Sequence, residues 1–213
     1  MTKLTQLIRG FMFGAVAITA PLFVGCGSSE DNSGIGDFNP KISYGTLTDP
    51  RDGQDYRTVE IGNSTWMAEN LKYAEQACGT SWCYGNNASY CKTYGRLYDW
   101  CAAMTACPDG WHLPTDADWK NLVLDAGGSE DAAGNLKSQK GWNDNGNGTD
   151  EHGFSALPGG YGRSDLRTFI GVGYSGFWWS ATELDAWLMG SDNGVERRTF
   201  GSEAGLSVRC VQD

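Results

Sequence analysis

The sequence is short of the residues on which most enzymatic and metal chemistry depends. Only two histidines, His112 and His152, occur in 213 residues, so a His-centred catalytic or metal cluster has almost nothing to draw on. No Cys-x-x-Cys pair is present and both histidines sit away from the cysteines, which argues against zinc. Positive charge is scarce: 16 Lys plus Arg face 26 Asp plus Glu, a formal net charge of −10. Such a chain lacks the basic face that nucleic acid requires, and it is not drawn to anionic lipid headgroups. There is no Gly-x-Ser-x-Gly nucleophile turn, which leaves a Ser-His-Asp hydrolase without support. Long apolar runs are missing with one exception, 14 uncharged and mostly apolar residues over 11–24 behind Lys3 and Arg9. That length suits the core of a secretory signal and is short for a membrane span. No other stretch could cross a bilayer as a helix, so the bulk of the chain is expected to be soluble.

The run ends Phe23-Val24-Gly25-Cys26. This resembles a bacterial lipobox, with Phe23 in the slot where Leu is usual, and the resemblance implies that Cys26 is acylated and becomes the mature N-terminus. Several acyl chains on one residue anchor stably where a single chain does not. Gly27 stands where an Asp would signal inner-membrane retention, so the outer membrane is expected, with the domain in the periplasm or on the surface. The alternative is an ordinary secretory signal that leaves Cys26 as an unpaired thiol. Removing residues 1–25 takes away Lys3 and Arg9 and no acid, so the mature chain is more acidic still.

Three regions follow: a signal over 1–25, a flexible tether over 26–43 rich in Gly, Ser, Asp and Asn, and one domain over 44–213. Within the domain, 56–61 reads as a strand, Gly62-Asn63 as a hairpin turn and 65–68 as the return. The segment 70–93 reads as loop. Leu97, Cys101 and Met104 suggest a helix within 95–107. Thr115 with Asp118 forms a capping box, and Trp119, Leu122, Val123 and Ala126 make the apolar stripe of a helix that Gly127-Gly128 ends. A shorter helix is expected over 129–136. Five short strands are expected over 168–172, 177–181, 186–189, 196–200 and 206–211. Helices segregated from antiparallel strands make the fold α+β.

Six cysteines remain after Cys26, an even number in an exported chain, and this implies disulfides in one of fifteen connectivities. We favour Cys83–Cys91 as a local loop and Cys107–Cys210 as the long link to the last strand, which leaves Cys78–Cys101. A loop of about a hundred residues restricts the unfolded chain by roughly 4–5 kcal/mol in the entropy model.

Several segments then combine into a signature: YRTVEIGNSTWMAENL over 56–71, YGRLYDW over 94–100, CPDGWHLPTDADW over 107–119, WNDNGNGTDEHGFSALPGG over 142–160, FWWSATE over 177–183 and LSVRCVQD over 206–213. Together they resemble the Fibrobacter succinogenes major paralogous domain. That family looks like a distant relative of C-type-lectin-like and sulfatase-modifying-factor folds. The resemblance implies a compact domain whose N- and C-terminal strands meet, carried by exported envelope proteins. It implies no particular chemistry. A sulfatase-modifying-type oxidase would need a reactive cysteine pair near the C-terminus, where this chain has only Cys210.

Three candidate sites emerge. Asn143, Asn145 and Asn147 alternate before Gly148, Asp150 and Glu151, echoing the start of a calcium loop; the same residues also suit a plain turn. Asp150, Glu151 and His152 could instead serve a metal-dependent hydrolase. Nine tryptophans offer flat faces for sugar stacking. Trp82 lies in the cysteine-rich loop, and Trp178 and Trp179 point to opposite faces of a strand, so that one could be exposed. The expected function is a non-catalytic binding module for polysaccharide or an envelope partner, with a metal-dependent enzyme or a purely structural lipoprotein as alternatives.

Overall fold

The computed structural model describes residues 38–74, 77–163 and 168–213. The leader, Cys26 and the tether up to residue 37 lie outside the described residues. The ordered domain begins earlier than 44, because Phe38 and Ile42 pack on the core and Asn39 is buried.

The first hairpin follows the period-2 pattern. β1 (Gly45–Thr48), β2 (Asp55–Ile61) and β3 (Ser64–Met67) are antiparallel neighbours, with Gly62 at φ 60° in the β2–β3 turn. The segment read as loop over 70–93 is more ordered than expected. It holds β4 (Ser81–Trp82), a 3₁₀ turn (Tyr84–Asn86) and most of α1 (Ala88–Tyr94). Its Asn residues are the reason for both outcomes. Asn87 looks like loop composition, yet its side chain accepts from the Ser89 N–H at 3.0 Å and caps α1.

The helix expected within 95–107 is shorter than that range and is preceded by a strand. Gly95, at φ 80°, ends α1; β5 (Leu97–Tyr98) follows, and only then α2 (Trp100–Thr105). Asp99 starts α2, accepting from Ala102 N at 2.8 Å while also holding Thr80 N at 2.7 Å. β6 (Trp111–His112) leads to α3 (Asp116–Asp125), where the capping box forms as read: Thr115 Oγ1 accepts from Asp118 N, and Asp118 Oδ2 accepts from Thr115 N at 2.8 Å. The short α4 (Ala132–Leu136) comes next. Strands β7 (Gly159–Gly162), β8 (Phe169–Val172), β9 (Gly176–Trp179), β10 (Asp185–Met189), β11 (Val195–Thr199), β12 (Leu206–Ser207) and β13 (Val211–Gln212) complete the chain.

The architecture is α+β, with short helices on two sheets. One sheet runs β1-β2-β3-β13-β6, so the N-terminal hairpin meets the C-terminal strand, Val211 opposite Trp66. The larger runs β11-β10-β9-β12-β5-β4, with β7 on β9 and β8 on β7. It is mixed and not purely antiparallel, since β12 and β7 both pair parallel with β9. The single strand expected over 206–211 is two short ones in different sheets, because Val208, Arg209 and Cys210 carry the chain from one sheet to the other.

Two apolar clusters fill the interior. Trp66, Trp119, Trp142, Phe154, Trp178 and Trp187 lie in one; Tyr56, Met67, Tyr98, Trp179, Leu206 and Val208 lie in the other. β9 and β10 divide their side chains between the two, and every residue of both strands is buried. Three disulfides tie the loops: Cys78–Cys101, Cys83–Cys91 and Cys107–Cys210, with Cα separations of 5.6, 4.9 and 5.8 Å. These are the pairs favoured from the spacing.

Candidate functional site

Five of the signature segments meet inside the domain, where they form a polar hub. Arg209, wholly buried, lies with its guanidinium 4.2 Å from the centre of the Phe154 ring. Its Nη2 and Nε donate to Asn70 Oδ1 at 3.0 and 3.2 Å, and Nη1 donates to the Phe154 carbonyl. The same Asn70 oxygen accepts from Trp178 Nε1 at 2.8 Å, while Asn70 Nδ2 donates to the Tyr94 carbonyl at 2.8 Å. Asp150, also fully buried, accepts from Ser155 N at 2.6 Å and Ser155 Oγ at 2.7 Å. Its own carbonyl accepts from Asn39 Nδ2.

Burial pushes the Arg209 guanidinium down to about 9, with the charge of Asp150 opposing. Burial likewise pushes the Asp150 carboxyl up, opposed by the Ser155 donors and by Arg209. Buried charges of this kind persist only when paired and hydrogen-bonded. The hub therefore holds the fold together from within and offers no surface to a ligand.

The outward-facing counterpart is an aromatic shelf beside the Cys83–Cys91 bridge. Tyr84 and Tyr90 meet edge to face at 5.3 Å, Tyr84 and Phe169 lie 5.2 Å apart, and Tyr90 stacks on Tyr94 at 5.9 Å. Tyr84, Tyr90 and Phe169 are each partly exposed. The backbone is shaped around these rings. At Gly160, φ is 65° and a Cβ would lie 2.8 Å from Tyr84 Cε2 and 2.5 Å from the Ile170 carbonyl, so a side chain there would displace the β7–β8 hairpin. Burial raises the Tyr84 hydroxyl, and a backbone hydrogen bond with Val172 opposes that shift. Trp82, on the preceding strand, is partly buried, and a Cβ on Gly205 would lie 3.3 Å from its ring. Across residues 81–98 there is no Asp or Glu, in a chain that has 26 of them. Arg96 is occupied by Ser81, at 2.8 Å to Oγ and 2.7 Å to the carbonyl, whereas Lys92 is exposed.

The residues singled out from sequence fall on both sides of this division. Trp178 and Trp179 do alternate across β9, but both are 0% exposed because the sheet is covered on both faces. Neither can stack on an external ligand, and that expectation is corrected; Trp82 alone of the three reaches the surface. In the Asn-rich loop, Asn143, Asn145 and Asn147 are exposed and Asp144 and Asn145 take left-handed backbone, at φ 53° and 59°. Asn147 Oδ1 accepts from Trp142 N at 2.9 Å. Asp150 turns inward to Ser155, away from its neighbour Glu151, which is exposed. The loop is thus a hydrogen-bonded turn, and of the two carboxylates expected to serve calcium Asp150 belongs to the hub while Glu151 faces solvent.

His152 is partly exposed beside Glu151, and among the described residues no three His, Cys, Asp or Glu side chains form a group able to hold a metal. His112 sits between two carboxylates, with Nδ1 2.7 Å from Asp213 Oδ1 and Nε2 3.4 Å from Asp118 Oδ2. Burial acts to raise the Asp118 carboxyl, but the Thr115 donors and His112 together hold it below its ordinary value. Tyr84, Tyr90 and Phe169 were not read from sequence as site residues. The available signal was two aromatics bracketed by one short disulfide in an acid-free stretch. Among the described residues no helix is long and apolar enough to cross a membrane.

No curated protein and no solved structure matches the chain. The family model for the Fibrobacter succinogenes major domain matches residues 59–212, a span that holds the complete hub apart from Asn39 and the whole shelf. On that match, the chain belongs to the Fibrobacter succinogenes major domain family.

Proposed function

We propose that this protein is a lipid-anchored module of the bacterial envelope that binds a ligand, without catalysing its conversion, through the shelf of Tyr84, Tyr90 and Phe169. The single observation that carries the reading is this set of partly exposed rings, braced by a disulfide, with Tyr84 and Tyr90 in a stretch that has no Asp or Glu over 81–98. Rings that present an apolar face and a polar tip suit recognition at a wet surface.

The address rests on the sequence: a basic start, the apolar run over 11–24, and a Cys26 in the position that acylation requires. Three disulfides are in keeping with an oxidising compartment. Outer-membrane residence and a distant kinship with lectin-like folds belong to the same proposal. Of the residues that could serve catalysis, Asp150 is held by Ser155 and His112 lies between Asp118 and Asp213, while Glu151 and His152 stand at the surface and the Asp150 carboxylate is turned inward.

Two experiments test the proposal. Metabolic labelling with a radiolabelled fatty acid should mark the wild-type protein in the membrane fraction, and Cys26→Ser should abolish the label; a labelled C26S protein would contradict the anchor. Binding of the purified protein to surface polymers and envelope fractions should fall on Tyr90→Ala. Binding that ignores this substitution would remove the shelf from the account.

A further inference from the structure

We infer that the ligand of the shelf is a neutral polysaccharide, bound by stacking of pyranose faces on Tyr84, Tyr90 and Phe169; this rests on the binding-module reading above. The size of the face is the first argument. Three partly exposed rings flanked by exposed Asn86, Asn87, Ser89 and Lys92 make an amphipathic strip. A stable protein interface buries about 800 Å² on each partner around a dehydrated apolar centre. Among the described residues, the large apolar side chains that are well exposed in this part of the chain are Ile170 and Tyr174, and that is too little for such a centre. A sugar chain needs less: an alternation of apolar C–H faces and hydroxyls, met here by ring faces and a rim of amides, a hydroxyl and an ammonium.

Charge is the second argument. The protein as a whole is acidic, with a formal net charge of −10, and so repels polyanions at long range. The stretch 81–98 carries no carboxylate and exposes Lys92, and exposed Arg163 follows the Gly162 that pairs with Phe169. Two separate cations do not make a polyanion site, which works by neutralising many charges together. An uncharged chain meets no repulsion and loses no ionic solvation on docking.

Preorganisation is the third. The Cys83–Cys91 bridge joins positions at a sequence separation of 8 and so brackets Tyr84 and Tyr90, and Gly160 lets β7 approach Tyr84 closely. The rings are held before a ligand arrives, which limits the ordering cost of binding.

The test is affinity electrophoresis of the purified protein through gels containing β-glucan, xylan or mannan, with polygalacturonate as the charged comparison. The wild-type protein should be retarded by at least one neutral polymer, to the same extent in 0.5 M NaCl. Tyr90→Ala should weaken that retention about tenfold, and Tyr90→Phe should keep it. A measurement without substitutions runs beside it: oligosaccharides of the retained polymer should shift the ¹H resonances of the Tyr84 and Tyr90 rings. No retention on any neutral polymer, retention on polygalacturonate alone, or unmoved tyrosine resonances would overturn the inference. If neutral polymers fail while an envelope fraction binds in a Tyr90-dependent way, the ligand class falls and the binding module stands. If Tyr90→Ala changes no binding at all, both fall.

Discussion

The Arg209 hub and the tyrosine shelf use similar side chains to opposite ends. Both set aromatic rings beside polar groups. In the hub, every polar atom of Asn70, Arg209 and Asp150 that the fold engages is turned toward another part of the same chain, and water is excluded. In the shelf, the rings are braced by a disulfide and a glycine but keep part of their surface open. The difference shows why the strongest sequence signature points to the interior and not to the exposed rings. The signature segments supply the hub, which in this chain ties the β12–β13 link and β9 to the loops around Asn70 and Phe154. The shelf comes from the cysteine-rich stretch and the β7–β8 hairpin.

The comparison can be broken first at the hub. Replacing Arg209 with Met leaves Asp150 charged and buried and strips donors from Asn70, and it should cost about 3–5 kcal/mol, read as a large drop in the urea midpoint; an unchanged midpoint would mean that the guanidinium is not needed. Removing the Cys107–Cys210 link by a double Ser substitution should cost about 4 kcal/mol in the entropy model. Because this bridge lies next to Arg209, its loss should also speed hydrogen exchange in β13, whereas removing Cys83–Cys91 should affect exchange only around α1.

Acid gives a smaller effect of known sign. Burial tends to raise Asp49, but its bonds to Arg51 hold it below the ordinary 3.8, and Asp118 is held down likewise. A carboxyl whose folded value is depressed contributes stability above its unfolded value and loses it as pH falls through the folded one. The contribution of Asp49 and Asp118 should therefore decline below about pH 4, with Asp150, whose carboxyl burial raises, acting in the opposite sense, and Asp49→Asn should remove the Asp49 share. At the capped helix, Thr115→Ala should cost about 1 kcal/mol, visible as a shift of a few degrees in the thermal midpoint. The smallest effect belongs to the shelf: Tyr90→Phe should change stability by under about 0.5 kcal/mol. Adding calcium or a chelator should leave the midpoint unmoved, since Asp150 is spent on Ser155.

Much of the fold was legible where the signal is local. Thr115 and Asp118 are three residues apart, so their capping box can be read without knowing the fold. The first hairpin needs only alternation and Gly62. The cysteine pairs favoured among fifteen connectivities, a local Cys83–Cys91 loop and a Cys107–Cys210 link to the last strand, are the ones that form, with Cys78–Cys101 as the remainder. The misreadings all involve tertiary context. Trp178 and Trp179 alternate as a strand requires, yet nothing local to β9 says that both faces of its sheet are covered. Asp150 stands in a stretch that looks like a surface loop, and only Ser155 and the distant Arg209 draw it inside. Asp99 shortens the helix expected within 95–107 because it caps α2 and holds Thr80 across a gap of 19 residues. The shelf escaped for the same reason: Phe169 reaches Tyr84 only once the β7–β8 hairpin is folded against the 3₁₀ turn.

The most direct measurement sets binding beside stability in one variant. For Tyr90→Ala, retention on neutral polysaccharide and the thermal midpoint are determined on the same preparation. We expect retention to fall about tenfold while the midpoint stays within a few degrees of wild type. Unchanged retention by a folded variant would contradict the claim that this outer face, and not the buried signature, is where the protein meets its ligand.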